Sequence, residues 1–496
     1  MESGSSPLLA WCARWVAMLL VGCVLASLVS RATAQDNGLS AALALEKLLV
    51  DSIASSEASV VAIARVRNDP ERRESSLVLP FNRPLQGNSP TDRGFVPNEF
   101  GAGVVIDDTG FILTAAHVLG DPDQSDYYVW SQQKPFAAKV VATAPWFDLA
   151  VLKVDEGDWR AMPMGDASNL RKGQIVIALG NPDAIARDGS VSASWGIISN
   201  LLRSAPPTPT RSAESQGRDT VHHFGTLIQT DAKLNLGYSG GALINLEGKM
   251  IGLTTSHAAT AGYETAAGFA IPVDEHFRRV VDALKKGETP DFGFLGVTPE
   301  PLDAALRRRG FLGARIRSVI DGTPAARAGI RVDDVITKID GQPIIDGDDL
   351  FRHIGSLGPG STAVLTVVRG DITDSEVLTI EAAVTVTKKY LNTARRPVAT
   401  TTPPTWRGLR VDYATASPLF GRLVQRPPGD SLFVVEVVPD SLAWQAGIRP
   451  GEFVTHVSGT KVSTPEEFAR AVDDAGEVTL HVTKDGRMTT ARTVSP

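Results

Sequence analysis

Leu236-Gly237-Tyr238-Ser239-Gly240-Gly241-Ala242-Leu243 sets one serine among three glycines at the head of an apolar run. A serine hydroxyl is a weak nucleophile until a base takes its proton. The base works best when a carboxylate fixes its tautomer and stabilises its cation. Two upstream segments carry such groups: Thr114-Ala115-Ala116-His117-Val118 and Phe147-Asp148-Leu149-Ala150-Val151-Leu152. Two small alanines before His117 leave room for its ring to turn towards a cleft, and the apolar stretch after Asp148 can anchor it in a buried strand. The glycines have their own reason. Backbone N–H groups at a tight bend must converge on one point to hold a negative oxygen, and the N–H groups of Gly237 and Ser239 are the candidate donors. Each piece alone is usually a turn or an idle side chain; the three together, in one order, are a candidate catalytic set.

That order, His117, Asp148, Ser239, is the one found on double β-barrels rather than on subtilisin or α/β-hydrolase folds. The flanking sequence fits. Short β-branched runs broken by glycine occur at 103–106, 110–113, 138–141 and 150–154, and again at 174–179, 195–199, 227–230, 241–244, 250–255 and 268–271. Many short strands with frequent turns predict barrels or sandwiches. Residues 35–57 read as an amphipathic helix, 59–66 as a strand, 68–98 as a long proline-bearing loop, and 274–286 as a closing helix.

At 496 residues the chain is too long for one core, and its net charge of −7 leaves no basic footprint for nucleic acid. Arg14, the apolar run 15–29 and Ala32-Thr33-Ala34 have the form of a cleaved signal peptide over 1–34, with an uncleaved membrane anchor or lipidation at Cys23 as alternatives. Both cysteines, Cys12 and Cys23, fall in this segment, so the mature chain has no disulfide, thiol nucleophile or cysteine metal site. His222-His223 lacks further ligands at useful spacing and reads as a solvated loop pair; no metal or organic cofactor is expected.

The last two hundred residues contain a repeat. A shift of 118 positions pairs Ala325 with Ala443, Ala328 with Ala446, Gly329 with Gly447, Ile330 with Ile448, Arg331 with Arg449, Thr337 with Thr455 and Gly341 with Gly459. One constant offset over so many positions predicts two copies of one domain. Between them lies a Pro/Thr-rich stretch that suits an extended, semi-stiff linker.

On Gly101-Ala102-Gly103-Val104-Val105-Ile106, 114–118, 148–154, Gly180-Asn181-Pro182, Gln229-Thr230-Asp231-Ala232, Ser239-Gly240-Gly241 and Gly268-Phe269-Ala270-Ile271-Pro272, the chain resembles the HtrA/Deg family of exported serine proteases. The resemblance covers nearly everything after residue 35. It implies a mostly β fold: a chymotrypsin-like double β-barrel followed by two PDZ (α+β) domains. The expected division is 1–34 signal peptide, 35–100 helix, first strand and loop, 101–288 protease domain (beginning near 58), 289–385 first PDZ domain, 386–405 linker and 406–496 second PDZ domain.

The family's triad carries over onto His117, Asp148 and Ser239. Where the family usually has asparagine before the nucleophile this chain has Tyr238, which leaves the orientation of the 237–238 peptide, and so the oxyanion hole, open. Leu234 matches a position that makes the specificity pocket apolar and shallow; Lys233, Leu253, Thr254 and Thr255 are its other expected lining residues. A preference for small aliphatic side chains follows, unless Lys233 admits an acidic one. Arg203 matches a regulatory arginine in a loop over 203–224. Phe294, Leu295, Gly296 and Val297 are the expected carboxylate loop of the first PDZ domain, which adds an extended C-terminal peptide to a sheet edge; Trp406–Val411 is its weaker counterpart.

The expected function is an exported, ATP-independent serine endopeptidase for misfolded or damaged proteins of the periplasm or cell envelope. The expected assembly is a homo-oligomer, a trimer or multiples. Two alternatives stay open: an inactive peptide-binding chaperone or scaffold, and a signalling protease of narrow specificity.

Overall fold

The computed structural model describes residues 38–68, 99–131, 134–181, 190–205, 220–255, 268–371, 378–391, 393, 395–418, 420, 430–473, 476–484 and 488–496, with Trp11 and Met18. Apart from Trp11 and Met18, the expected signal peptide lies outside the described residues, as do nearly all of the expected 68–98 loop and residues 206–219 of the expected regulatory loop. Among those described, no helix is long and apolar enough to cross a membrane.

The short glycine-broken runs become strands of two closed six-stranded barrels. The first contains β1 (Val60–Arg67), β2 (Glu99–Val105), β3 (Phe111–Ala115), β4 (Ser125–Ser131), β5 (Lys134–Ala144) and β6 (Leu149–Lys153), in the order β1-β2-β3-β6-β5-β4. Side chains alternate across each strand, so Val61 and Ile63 of β1 point inward while Ala62 and Ala64 sit outside under Trp130. The second barrel contains β7 (Ile175–Gly180), β8 (Ser192–Arg203), β9 (Leu227–Thr230), β10 (Ala242–Ile244), β11 (Met250–Thr255) and β12 (Gly268–Pro272), in the order β10-β11-β12-β9-β8-β7. Leu113, Leu149, Val151, Ile177, Leu179 and Leu253 form one core where the barrels meet. This shared core fixes one barrel against the other, which a site built from both requires.

Helix α1 spans 38–56. It leaves Leu39, Leu43 and Leu48 exposed, packs Leu49 and Ile53 on the core, and ties Ser52 Oγ to the Leu246 carbonyl at 2.6 Å. Helix α2 (Ala116–Leu119) is a single turn carrying His117. Helix α3 (Glu275–Lys285) starts at Asp274, whose side chain accepts the Phe277 N–H at 2.7 Å.

The repeat is visible in the backbone. The strand Val335–Ile339 recurs as Phe453–Val457, 118 positions on, and the short strand Gln342–Pro343 as Thr460–Lys461. Gly329 and Gly447 share positive φ values of 75° and 84°, a left-handed end to a short helix that glycine adopts without a Cβ penalty. Each copy sets one longer helix, Gly347–Ser356 or Pro465–Val472, against a sheet whose outermost strand is Val297–Glu300 or Leu409–Tyr413.

The first of these domains is packed onto the barrels through aromatic rings. Phe224 stacks on Phe351 with centroids 4.0 Å apart, and Phe292 meets Trp146, Phe147 and Phe351 at 5.8, 6.1 and 5.1 Å. His276 of α3 lies edge-on to Phe147 in the same cluster. Burial first, and the nearby Arg279 charge second, push its imidazole down from 6.5 to about 4. The folded chain therefore favours the neutral ring. Its contribution is complete above pH 6.5 and is lost as pH falls from there towards 4, where the loss levels off at about 3 kcal/mol. We expect denaturant midpoints to drop over that window, and His276→Phe to flatten the drop.

The segment expected as an extended, semi-stiff linker is docked on the first barrel. Thr143 N–H donates to the Val398 carbonyl and Val398 N–H to Thr143 Oγ, both at 2.9 Å, and Ala142 bridges Ala399 in antiparallel register. The reason lies in the barrel. β4 pairs with β5 only over 134–138, so the later half of β5 presents an open edge, and an extended chain nearby completes it.

Candidate active site

Asp148 is nearly fully buried, and it adopts a left-handed conformation with φ 52° directly before β6. Aspartate tolerates this region better than most residues. The bend aims both its carbonyl and its carboxylate at α2. Its carbonyl accepts the Ala116 N–H at 3.0 Å; its Oδ1 accepts the His117 backbone N–H, also at 3.0 Å. The His117 ring meets the same carboxylate through Nδ1, at 2.9 Å to Oδ1 and 2.8 Å to Oδ2. A carboxylate only accepts, so Nδ1 carries the proton in this pair and Nε2 is left as the basic nitrogen.

Ser239 follows a bend that requires glycine. Gly237 has φ 97°, and a Cβ there would lie 2.1 Å from the Asn181 carbonyl oxygen. Gly240, at φ 83°, lets Ser239 approach the first barrel: a Cβ at 240 would meet Thr114 Oγ at 2.2 Å. The Ser239 carbonyl accepts the Ala102 N–H at 2.8 Å, across the barrel junction. Ser239 is thus set beside the strand that leads into His117. The amides of Gly240 and Gly241 are engaged by the carbonyls of Thr254 and Tyr238 at 2.8 and 2.9 Å.

Tyr238 turns away from this bend. Its ring is buried in the second barrel against Gly180, its hydroxyl donates to the Ser192 carbonyl at 3.3 Å, and its N–H donates to the Asn235 carbonyl at 3.1 Å. The Gly237 carbonyl in turn accepts the Asn181 N–H at 3.4 Å, so both ends of the 237–238 peptide are tied to protein partners.

Three expected pocket residues have side chains engaged within the protein. Leu253 points into the core between the barrels, and Thr254 donates its hydroxyl to the Tyr238 carbonyl. Thr255 donates its hydroxyl to Asp148 Oδ2 at 3.1 Å, so it belongs with the carboxylate rather than the pocket. Alternation puts Leu253 and Thr255 on one face of β11 and Thr254 on the other, and a strand can still line a cleft with its backbone. Leu234 lies against Gly268, where a Cβ would come within 2.6 Å of it, while Lys233 is exposed. We expect Thr255→Val to lower kcat about tenfold with little change in KM, because a buried hydrogen bond to a charged group carries about 1.5–3 kcal/mol. Steady-state kinetics on a peptide substrate reads this directly.

Arg203 is exposed at the end of β8. His222 and His223, expected as solvated loop residues, are buried in a single turn over Val221–Phe224. His222 Nε2 donates to the Phe147 carbonyl at 3.0 Å and Nδ1 accepts from Thr226 Oγ at 2.7 Å. Their partners at 147 and 205 are distant in sequence, so no spacing rule signals them. In the first repeat, Leu295 enters the core, Gly296 takes φ 90°, Val297 opens the outer strand, and the Phe294 ring packs edge-on to Phe420 at 6.3 Å.

The chain matches the family model of a trypsin-like peptidase domain over residues 101–253, and PDZ-domain models over 293–384 and 433–483. It is 31% identical over 402 residues to a probable periplasmic serine endoprotease, DegP-like, of Chlamydia pneumoniae, covering 80% of this chain and 75% of that one. The corresponding protein of Chlamydia muridarum (strain MoPn / Nigg) is 32% identical over 395 residues, covering 78% and 73%. A solved HtrA-type protease, AlgW with decapeptide, aligns at 25% identity and a TM-score of 0.48, over 68% of this chain and 98% of that one.

Double barrels with a trypsin-like peptidase match and two PDZ domains behind them define a serine endopeptidase of the trypsin class. Within that class, the chain belongs to the HtrA/DegP family of serine endoproteases.

Proposed function

We propose that His117, Asp148 and Ser239 are the catalytic triad of an exported, periplasmic endopeptidase that degrades misfolded envelope proteins. The observation that carries the triad is the Asp148 carboxylate 2.8 Å from His117 Nδ1, which leaves Nε2 as the base. On this reading Ser239 Oγ attacks the scissile carbonyl while Nε2 takes its proton. Asp148 stabilises the imidazolium, and the N–H groups of Gly237 and Ser239 hold the oxyanion. The imidazolium then protonates the leaving amine. Water, deprotonated by the same nitrogen, splits the acyl-enzyme and restores the serine.

Leu234, laid over Gly268, supports a shallow pocket for small aliphatic side chains. The outer strand Val297–Glu300, beside the helix Gly347–Ser356, supports capture of C-terminal peptides by strand addition, with the 294–297 loop on the carboxylate. The exposed leucines of α1 support assembly into a homo-oligomer. The sequence carries no phosphate-binding loop, so substrates should arrive already partly unfolded. Purified full-length protein should digest casein without ATP, cut after Val, Ala or Leu, and spare a stably folded protein of similar size. Casein left intact sinks the degradative reading, and cuts mainly after Arg or Lys sink the aliphatic pocket.

A further inference from the structure

The interdomain segment 395–401 hydrogen-bonds to the barrels and to the end of α3 through Arg395, Val398, Thr400 and Thr401, and these contacts bracket the two backbone segments that carry Asp148 and His117. On one side, Val398 exchanges two hydrogen bonds with Thr143, and Thr400 Oγ donates to the Val141 carbonyl at 3.0 Å. β5 runs from there through the turn Pro145–Phe147 into Asp148. On the other side, the Arg395 guanidinium donates to the carbonyls of His117 and Ala116, at 3.3 and 3.5 Å. Helix α2 is one turn long, so these carbonyls have few internal partners, and a cationic donor near a helix C-terminus suits them. The far end is fastened by Thr401, whose N–H donates to the Gly287 carbonyl at 3.0 Å and whose hydroxyl donates to the Lys286 carbonyl. Gly287 accommodates this approach because a Cβ there would lie 2.3 Å from Thr400 Oγ.

We propose that residues 395–401 form a strap that positions His117 against Asp148, with Arg395 as the positioning residue. Peptide hydrolysis then depends on the seating of the chain between the two PDZ domains. This rests on the triad reading above. Strands β3 and β6 are paired only as far as Ala115 and Leu149; beyond the end of that ladder, His117 and Asp148 are held by the Ala116–Asp148 amide contact and by the hydrogen bonds of His117 to the carboxylate. A bridge that fixes both reduces their relative motion, and a displacement of about 1 Å in such a site costs up to about 100-fold in rate. The strap is fastened by hydrogen bonds rather than by an apolar core. A cavity of about 520 Å³ lies between Arg395–Ala399 and the turn Gly120–Asp123, so this side of the strap is not packed against the barrel.

The test uses full-length protein with Arg395→Ala, Arg395→Lys and the double variant T400V/T401V. Two readouts are compared: kcat and KM on a short chromogenic peptide, and the rate of inactivation by diisopropyl fluorophosphate. In the second, serine Oγ bonds to phosphorus, fluoride leaves, and the hydroxyl proton passes to the base. Arg395→Ala and T400V/T401V should each lower kcat about tenfold with KM within twofold, and slow inactivation by a similar factor. Arg395→Lys should regain most of both. Arg395 is exposed, so its loss does not threaten folding. Wild-type kcat and inactivation rates in both Arg395→Ala and T400V/T401V overturn the proposal. So does a loss confined to KM, which would make Arg395 a substrate contact. Hydrolysis surviving in Ser239→Ala overturns the triad, and the strap with it.

Discussion

Ser239→Ala should abolish peptide hydrolysis, with kcat falling roughly a million-fold and the fold unchanged. The size follows from what the hydroxyl does on the triad reading. Without Oγ no acyl-enzyme forms, and the base and oxyanion donors are left to assist only direct attack by water, a residual worth about 10³–10⁴ over the uncatalysed reaction. The fold should not notice. The backbone at 239 is fixed by its carbonyl on Ala102 N–H, which alanine keeps, and the substitution removes one oxygen from a nearly buried site. Casein digestion, labelling by a fluorophosphonate and a thermal melt check the three parts together. A variant that is intact, unlabelled and inactive supports the assignment; residual activity within a hundredfold of the parent removes it.

Asp148→Asn should lower kcat about 10⁴-fold near neutral pH while leaving KM and the melting temperature close to the parent. The carboxylate accepts from the His117 amide, His117 Nδ1 and the Thr255 hydroxyl. An asparagine of the same shape has one acceptor and one donor. The Thr255 hydroxyl can turn to accept instead, and the fixed amide of His117 still claims the oxygen. The NH₂ group then faces the ring, Nδ1 becomes the acceptor, and the proton moves to Nε2. That tautomer cannot take a proton from serine. The pH profile distinguishes this from simple disorder: raising the pH restores rate as the serine hydroxyl itself ionises, whereas a collapsed site stays inactive. A fall of less than tenfold in kcat would remove Asp148 from the triad.

Much of this was legible because local chemistry constrained it. Glycines around Ser239 announce a bend, the 118-residue offset announces a duplicated domain, and glycine-broken β-branched runs announce short strands. These signals depend on residues close in the chain or on exact repetition. The errors share a cause too. Thr255 was expected in the pocket because it lies on the right strand, yet alternation and the fold of the first barrel direct its hydroxyl to Asp148, 107 positions away. His222 reads as solvated in a polar sequence, but it is buried and donates to the Phe147 carbonyl, 75 positions away. Tyr238 by its identity leaves the 237–238 peptide open, and only the fold places its ring in the second barrel's core.

Which elements form, and which side chains are chemically able to act, can be read along the chain, since spacing, turn residues and periodicity act over a few positions. That Asp148 is shared by His117 and Thr255, and that a proline- and threonine-rich segment is pinned to a half-open strand, came only with the packed fold. Those outcomes depend on hydrogen-bond partners brought together by the packing of two barrels, and the linear order of residues carries no distance between them.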